Sequence, residues 1–173
     1  MNQAVQEIYH DRVVTRLIQF SVIWVLLAMF AGVYLAAEFV WPELDFGQFW
    51  LSFGRIRPLH TNGVIFGFGV SALMGTAFYS VQRTSHVPLF MPRLAWFCCY
   101  AWQLTVLLGG LSLLAGWTST KEYAELEWPF DIAITIIWHC FLRHHRQAAH
   151  TPDLYFQLVF WWLDHCHRHA AYR

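Results

Sequence analysis

The residue with the most chemistry to offer in this chain is His60. It stands in Arg57-Pro58-Leu59-His60-Thr61-Asn62, at the mouth of an apolar, charge-free stretch that runs to Val81. An ionisable imidazole at the entrance of a membrane-length helix is costly without a partner, so it marks a candidate functional site. Neutral imidazole is also the commonest side-chain ligand for metals, haem iron among them. The plainer reading is a polar helix-mouth residue hydrogen-bonded to a neighbour, and the residues by themselves leave both open.

A second constellation is acidic. In Thr118-Ser119-Thr120-Lys121-Glu122-Tyr123-Ala124-Glu125-Leu126-Glu127-Trp128 three carboxylates lie within six residues. Glu122 and Glu125 are three apart and share a face on a helical turn. Paired carboxylate oxygens suit a hard cation such as calcium; the alternative is a solvated interfacial turn. A third feature is the tail, which holds seven of the ten histidines: His139, His144, His145, His150, His165, His167 and His169, with Cys140 and Cys166 among them. Such residues at short spacing bind zinc or copper, but this spacing matches no standard finger.

The elements that must position these residues are membrane helices. The 173 residues are 57% hydrophobic, 18% aromatic and 13% charged, against about a quarter charged in a soluble domain. Zero net charge suggests no nucleic-acid partner. The ten Trp and fifteen Phe suit lipid-facing helices and interfacial belts, with membrane lipid as the surroundings. Spanning a bilayer takes roughly 20 helical residues. Three stretches meet that length, 17–41, 58–81 and 94–117, and a fourth helix, 129–142, reads cleanly only to Trp138. The expected fold is an all-α, polytopic transmembrane bundle of three to four helices. Pro58 is expected in the first turn of the second helix, where its missing N–H costs nothing.

The first apolar run is too long for a signal-peptide core and reads as an anchor. Arg12, Arg16, Arg83 and Arg93 fall on one side of the spans, and Arg55, Arg57 and Lys121 on the other. That slight bias favours a cytoplasmic N-terminus. Gly63, Gly67, Gly69 and Gly75 in the second span permit close approach, either of a helix or of a macrocycle. Trp102 and Gln103 in the third span are similarly open. Cys98 and Cys99 read as packing thiols, and no Cys-x-x-Cys-His run for covalent haem occurs.

Arg55-Ile56-Arg57-Pro58-Leu59-His60-Thr61-Asn62-Gly63-Val64-Ile65-Phe66 resembles the second-helix motif of the catalytic subunit I of cbb3-type cytochrome c oxidases, the C-family of haem–copper oxidases. Tyr79-Ser80-Val81-Gln82-Arg83-Thr84, the acidic loop from Trp117 to Pro129 and the amphipathic N-terminus agree with it. The resemblance covers about Tyr9 to Trp138, the first three to four of the family's twelve helices. It implies that His60 is an axial ligand of the low-spin haem b, with the opposite ligand on a later helix. It implies that Glu122, with Glu125 nearby, belongs to an acidic loop holding calcium near the haem propionates, and that Arg57 helps neutralise those propionates. The family oxidises cytochrome c, reduces oxygen to water and pumps protons in the bacterial cell membrane, together with c-type cytochrome subunits. Its high-spin haem and copper use histidines beyond this region of the family, so oxidase activity is not expected of this chain alone.

The resemblance stops abruptly at Trp138, which divides the chain into 1–138 and an aberrant segment 139–173. A frameshift explains the tail histidines. His codons begin CA, and one nucleotide later they encode Ile, Thr or Met. Shifted in this way, 156–173 becomes an apolar run with one histidine, similar to the family's next helix. Two other classes stay in view. One is a small membrane b-type cytochrome in which two copies each supply His60. The other is a membrane anchor whose His/Cys tail binds metal.

Overall fold

A computed structural model describes residues 9–86, 88–119, 121 and 125–148, the last four of these by backbone alone. Four helices follow one another: α1 (Asp11–Val40), α2 (Phe53–Ser85), α3 (Pro92–Ala115) and α4 (Trp128–Ala148). Among the described residues there is no strand. The first three helices are long and apolar enough to cross a membrane. All four begin before the apolar runs that announce them. α1 takes in the polar turn Asp11–Arg16, because helical hydrogen bonding continues into the interface while hydropathy does not.

The larger difference is at Pro58. It lies inside α2, five residues after the helix begins at Phe53, and not in its first turn. The carbonyl it leaves without a helical donor belongs to Gly54, which is exposed, so water can serve that group. α2 is also not uniformly α-helical. Its turns widen into a π-helix over Gly63–Val70, a rare geometry that concentrates near functional sites.

α1 packs along α2, α3 against α4 and against the first half of α2. A helix pair in lipid gains nothing from hiding apolar surface, so contact depends on close backbone approach and internal hydrogen bonds. Both are present. A Cβ built on Gly75 would lie 3.2 Å from Cβ of Leu17, one on Gly67 2.7 Å from Cγ of Trp24, and one on Gly63 3.2 Å from Cβ of Ala28. These α2 glycines therefore serve helix packing, and α1 fills the space a macrocycle would need at Gly63 and Gly67. Gly69 faces away, with only Val64 O at 3.5 Å.

Polar side chains in the bundle bond to one another. Trp24 Nε1 donates to Gln103 Oε1 (2.7 Å), and Gln103 Nε2 donates to Ser71 Oγ (3.0 Å), joining three helices. Trp102 Nε1 donates to the Phe66 carbonyl within the widened turns of α2 (3.1 Å). Trp102 and Gln103 are thus structural. The core beneath them gathers Val13, Leu17, Met74, Phe78, Cys98, Cys99, Trp102, Ile137 and Phe141. Cys98 and Cys99 are buried free thiols. Large side chains on the outer face of α1, among them Leu26, Phe30 and Val33, are left exposed for lipid.

At the end opposite His60 the chain is tied down by the start of α1. Gln82, fully buried, accepts from the His10 N–H (2.7 Å) and donates to the Phe78 carbonyl (3.1 Å). Arg83 donates to Asp11 (2.8 Å) and lies over the ring of Tyr9.

Candidate functional site

His60 lies where the N-terminal third of α2 crosses the C-terminal third of α1. Its ring is half-buried, and Nδ1 stands 2.6 Å from the carbonyl oxygen of Ala28. A carbonyl only accepts, so Nδ1 carries the proton and donates. In the neutral ring the lone pair is then on Nε2. That is the tautomer an axial histidine needs, with the second nitrogen anchored to a backbone carbonyl. The tautomer therefore leaves Nε2 of His60 as the nitrogen chemically able to bind a metal.

The acidic loop docks two residues further along α2. Glu125, 7% exposed, accepts from Asn62 Nδ2 through Oε2 at 3.1 Å, and the same Asn62 nitrogen donates to the Pro58 carbonyl at 2.8 Å. The Glu125 carbonyl in turn accepts from the Ser119 N–H (2.8 Å), which closes the loop on itself. Leu126 seats on α3 where Gly109 offers no side chain: a Cβ there would be 3.0 Å from Leu126 Cδ2. The loop is thus held over the His60 end of the bundle by both α2 and α3. Glu122 lies outside the described residues. Arg57 is exposed on α2, one turn before His60.

Sequence reasoning passed over several residues. Gly32 faces the His60 ring, Ala28 supplies its acceptor, and Asn62 joins helix to loop. Arg55 covers Gly116, where a Cβ would lie 2.8 Å from Nη2; Gly116 ends α3 with φ +92°. The spacing of glycines was visible in the sequence, but which helix each one faces was not. Beneath the loop, Trp24, Leu59, Asn62, Phe66, Trp102 and Leu126 line a cavity of about 20 Å³, room for one water at most.

The tail offers less. His139 is exposed, Cys140 half-buried and His144 buried against Phe78, their ring centroids 5.2 Å apart. Among the described residues no three His, Cys, Asp or Glu side chains converge as a metal site would require. The histidines from 149 onward lie outside the described residues.

Bundle and topology define a multi-pass, all-α membrane protein. Residues 12–162 match the family model described as Cytochrome C and Quinol oxidase polypeptide I. The chain is 53% identical over 138 residues to the Cbb3-type cytochrome c oxidase subunit CcoN1 of Stutzerimonas stutzeri, covering 80% of this chain and 29% of that relative. It is 41% identical over 137 residues to cytochrome c oxidase subunit 1 of Rhodobacter capsulatus, 78% of this chain and 26% of the relative. It is 40% identical over 122 residues to the bacteroid cytochrome c oxidase subunit 1 homolog of Bradyrhizobium diazoefficiens, 70% and 22%. The chain belongs to the cytochrome c and quinol oxidase polypeptide I family, and its likeness is to the cbb3-type subunit I. It spans 22–29% of the length of these curated relatives.

Proposed function

We propose that this chain is the portion of a cbb3-type oxidase subunit I that holds the low-spin haem b through Nε2 of His60. The observation that carries the reading is the Nδ1–H donation to the Ala28 carbonyl, which fixes the ligating tautomer. A bound haem supplies one-electron redox chemistry; the residues here orient it and set its surroundings. Arg57 would neutralise haem propionates, and Glu125 with Glu122 would hold calcium. In the complete subunit this serves cytochrome c oxidation, oxygen reduction and proton pumping in the bacterial cell membrane. c-type cytochrome subunits are the partners and the N-terminus faces the cytoplasm. The test is a haemin titration of the purified chain in lipid nanodiscs. A stoichiometric Soret band that is lost in His60→Ala, at unchanged helicity, supports the reading. An equal band in the variant refutes it.

We further propose that residues from His139 onward are read out of frame. The reading rests on the concentration of histidines there and on the apolar run that the shifted frame restores; the family match itself runs past Trp138 to residue 162. The nucleotide sequence from the Phe130 codon onward tests it. An open frame offset by one and continuing into apolar helices supports it, and the lack of one sinks it.

A further inference from the structure

The seam between α1 and α2 keeps a single antiparallel register along its length. In three layers of this seam the glycine belongs to α2 and the side chain to α1: Gly75 with Leu17, Gly67 with Trp24, Gly63 with Ala28. The next layer inverts. There the glycine is Gly32 on α1, and the side chain laid over it is His60 on α2. A Cβ on Gly32 would lie 2.8 Å from Cε1 and 3.0 Å from Nδ1 of the imidazole.

The inversion has a chemical consequence. In an α-helix the carbonyl of residue 28 accepts from the N–H of residue 32, and the side chain at 32 stands beside that carbonyl's outer lone pair. With no side chain at Gly32, the Ala28 carbonyl is open sideways and takes a second donor, the Nδ1–H of His60 at 2.6 Å. Packing alone would be served by any apolar side chain in the notch. An imidazole there leaves a polar ring at the edge of a membrane helix unless that carbonyl is reachable. We propose that Gly32 is a positioning residue: it opens the Ala28 carbonyl and thereby sets the tautomer, ring orientation and basicity of His60 toward the haem iron. The proposal rests on His60 being the haem ligand. Outer partners of this kind are worth 10–100-fold in metal affinity or activity when lost.

The experiment has two arms. The first needs no haem. In the full chain labelled with ¹⁵N-histidine in bilayers, the His60 signal is assigned by its loss in His60→Gln. The expected result is a single Nδ1–H tautomer, replaced in Gly32→Ala by Nε2–H or a mixture, with no change in Gly54→Ala, where an added Cβ meets nothing. An Nε2–H or mixed signal in the unaltered chain overturns the proposal whether or not Gly32→Ala folds. In the second arm the chain and Gly32→Ala are loaded with haemin and reduced. Haem affinity is expected to fall at least tenfold, and the iron–imidazole stretch in the Raman spectrum to move to lower frequency. An affinity and a stretch that both match the unaltered chain refute the proposal. Haem retained by His60→Ala removes the ligand reading and the haem-directed role with it; the tautomer result then still reports on the Gly32 notch.

Discussion

Asn62 and Glu125 are 63 residues apart in sequence and joined by a buried hydrogen bond of 3.1 Å, the carboxamide donating to the carboxylate. The bond fastens the acidic loop to α2 two residues beyond His60. Changing Asn62 to Asp would set two carboxylates against each other in a buried place. A loss of about 1–3 kcal/mol is expected, whereas Glu125→Gln, which keeps an acceptor oxygen, should sit near the unaltered chain. Limited tryptic cleavage at the exposed Lys121 reports on the loop directly. Faster cleavage in Asn62→Asp is expected, and equal rates in all three chains would show that the bond does not hold the loop.

Gly67 and Gly69 look alike in the sequence and differ in the fold. A Cβ at 67 collides with the Trp24 indole at 2.7 Å, and one at 69 meets only a carbonyl at 3.5 Å. Gly67→Ala is expected to lower stability by about 1–3 kcal/mol through overpacking, and Gly69→Ala to leave it unchanged. Thermal midpoints in one detergent decide this, and equal losses at both positions would contradict the seam.

Gln103 joins α1 and α2 through Trp24 and Ser71. Interhelical hydrogen bonds in membrane proteins average about 0.6 kcal/mol each. Gln103→Leu, which breaks two, should cost about 1 kcal/mol and alter the Trp24 fluorescence. A double-mutant cycle with Ser71→Ala should give a coupling energy above zero; strict additivity would mean that the two groups do not interact.

The Arg83–Asp11 pair is 2.8 Å long but partly exposed, 30% and 46% at the two side chains. Such pairs contribute about 0–1 kcal/mol and weaken with salt. Asp11→Asn should therefore have a small effect that vanishes at high ionic strength. Arg83→Lys should cost more than Asp11→Asn, because the planar guanidinium also lies 4.2 Å over Tyr9 and 5.1 Å from Tyr79. Equal, salt-independent losses would count against this.

Much of this protein was legible in the chain itself. Apolar runs of membrane length at 17–41, 58–81 and 94–117 dictate three helices, because a backbone in lipid must satisfy its own hydrogen bonds. The motif around His60 and the acidic loop carried the family. The helix ends were less legible: α2 starts at Phe53, before Pro58, because hydropathy reports where lipid begins and not where helical bonding does. Only the tertiary structure decided what each small or polar residue faces. Gly63 and Gly67 turned out to belong to the α1 seam, Gly32 to His60 and Asn62 to Glu125. Those assignments depend on the register between helices, and register is set by the steric fit of both partners together, a property that neither segment carries alone.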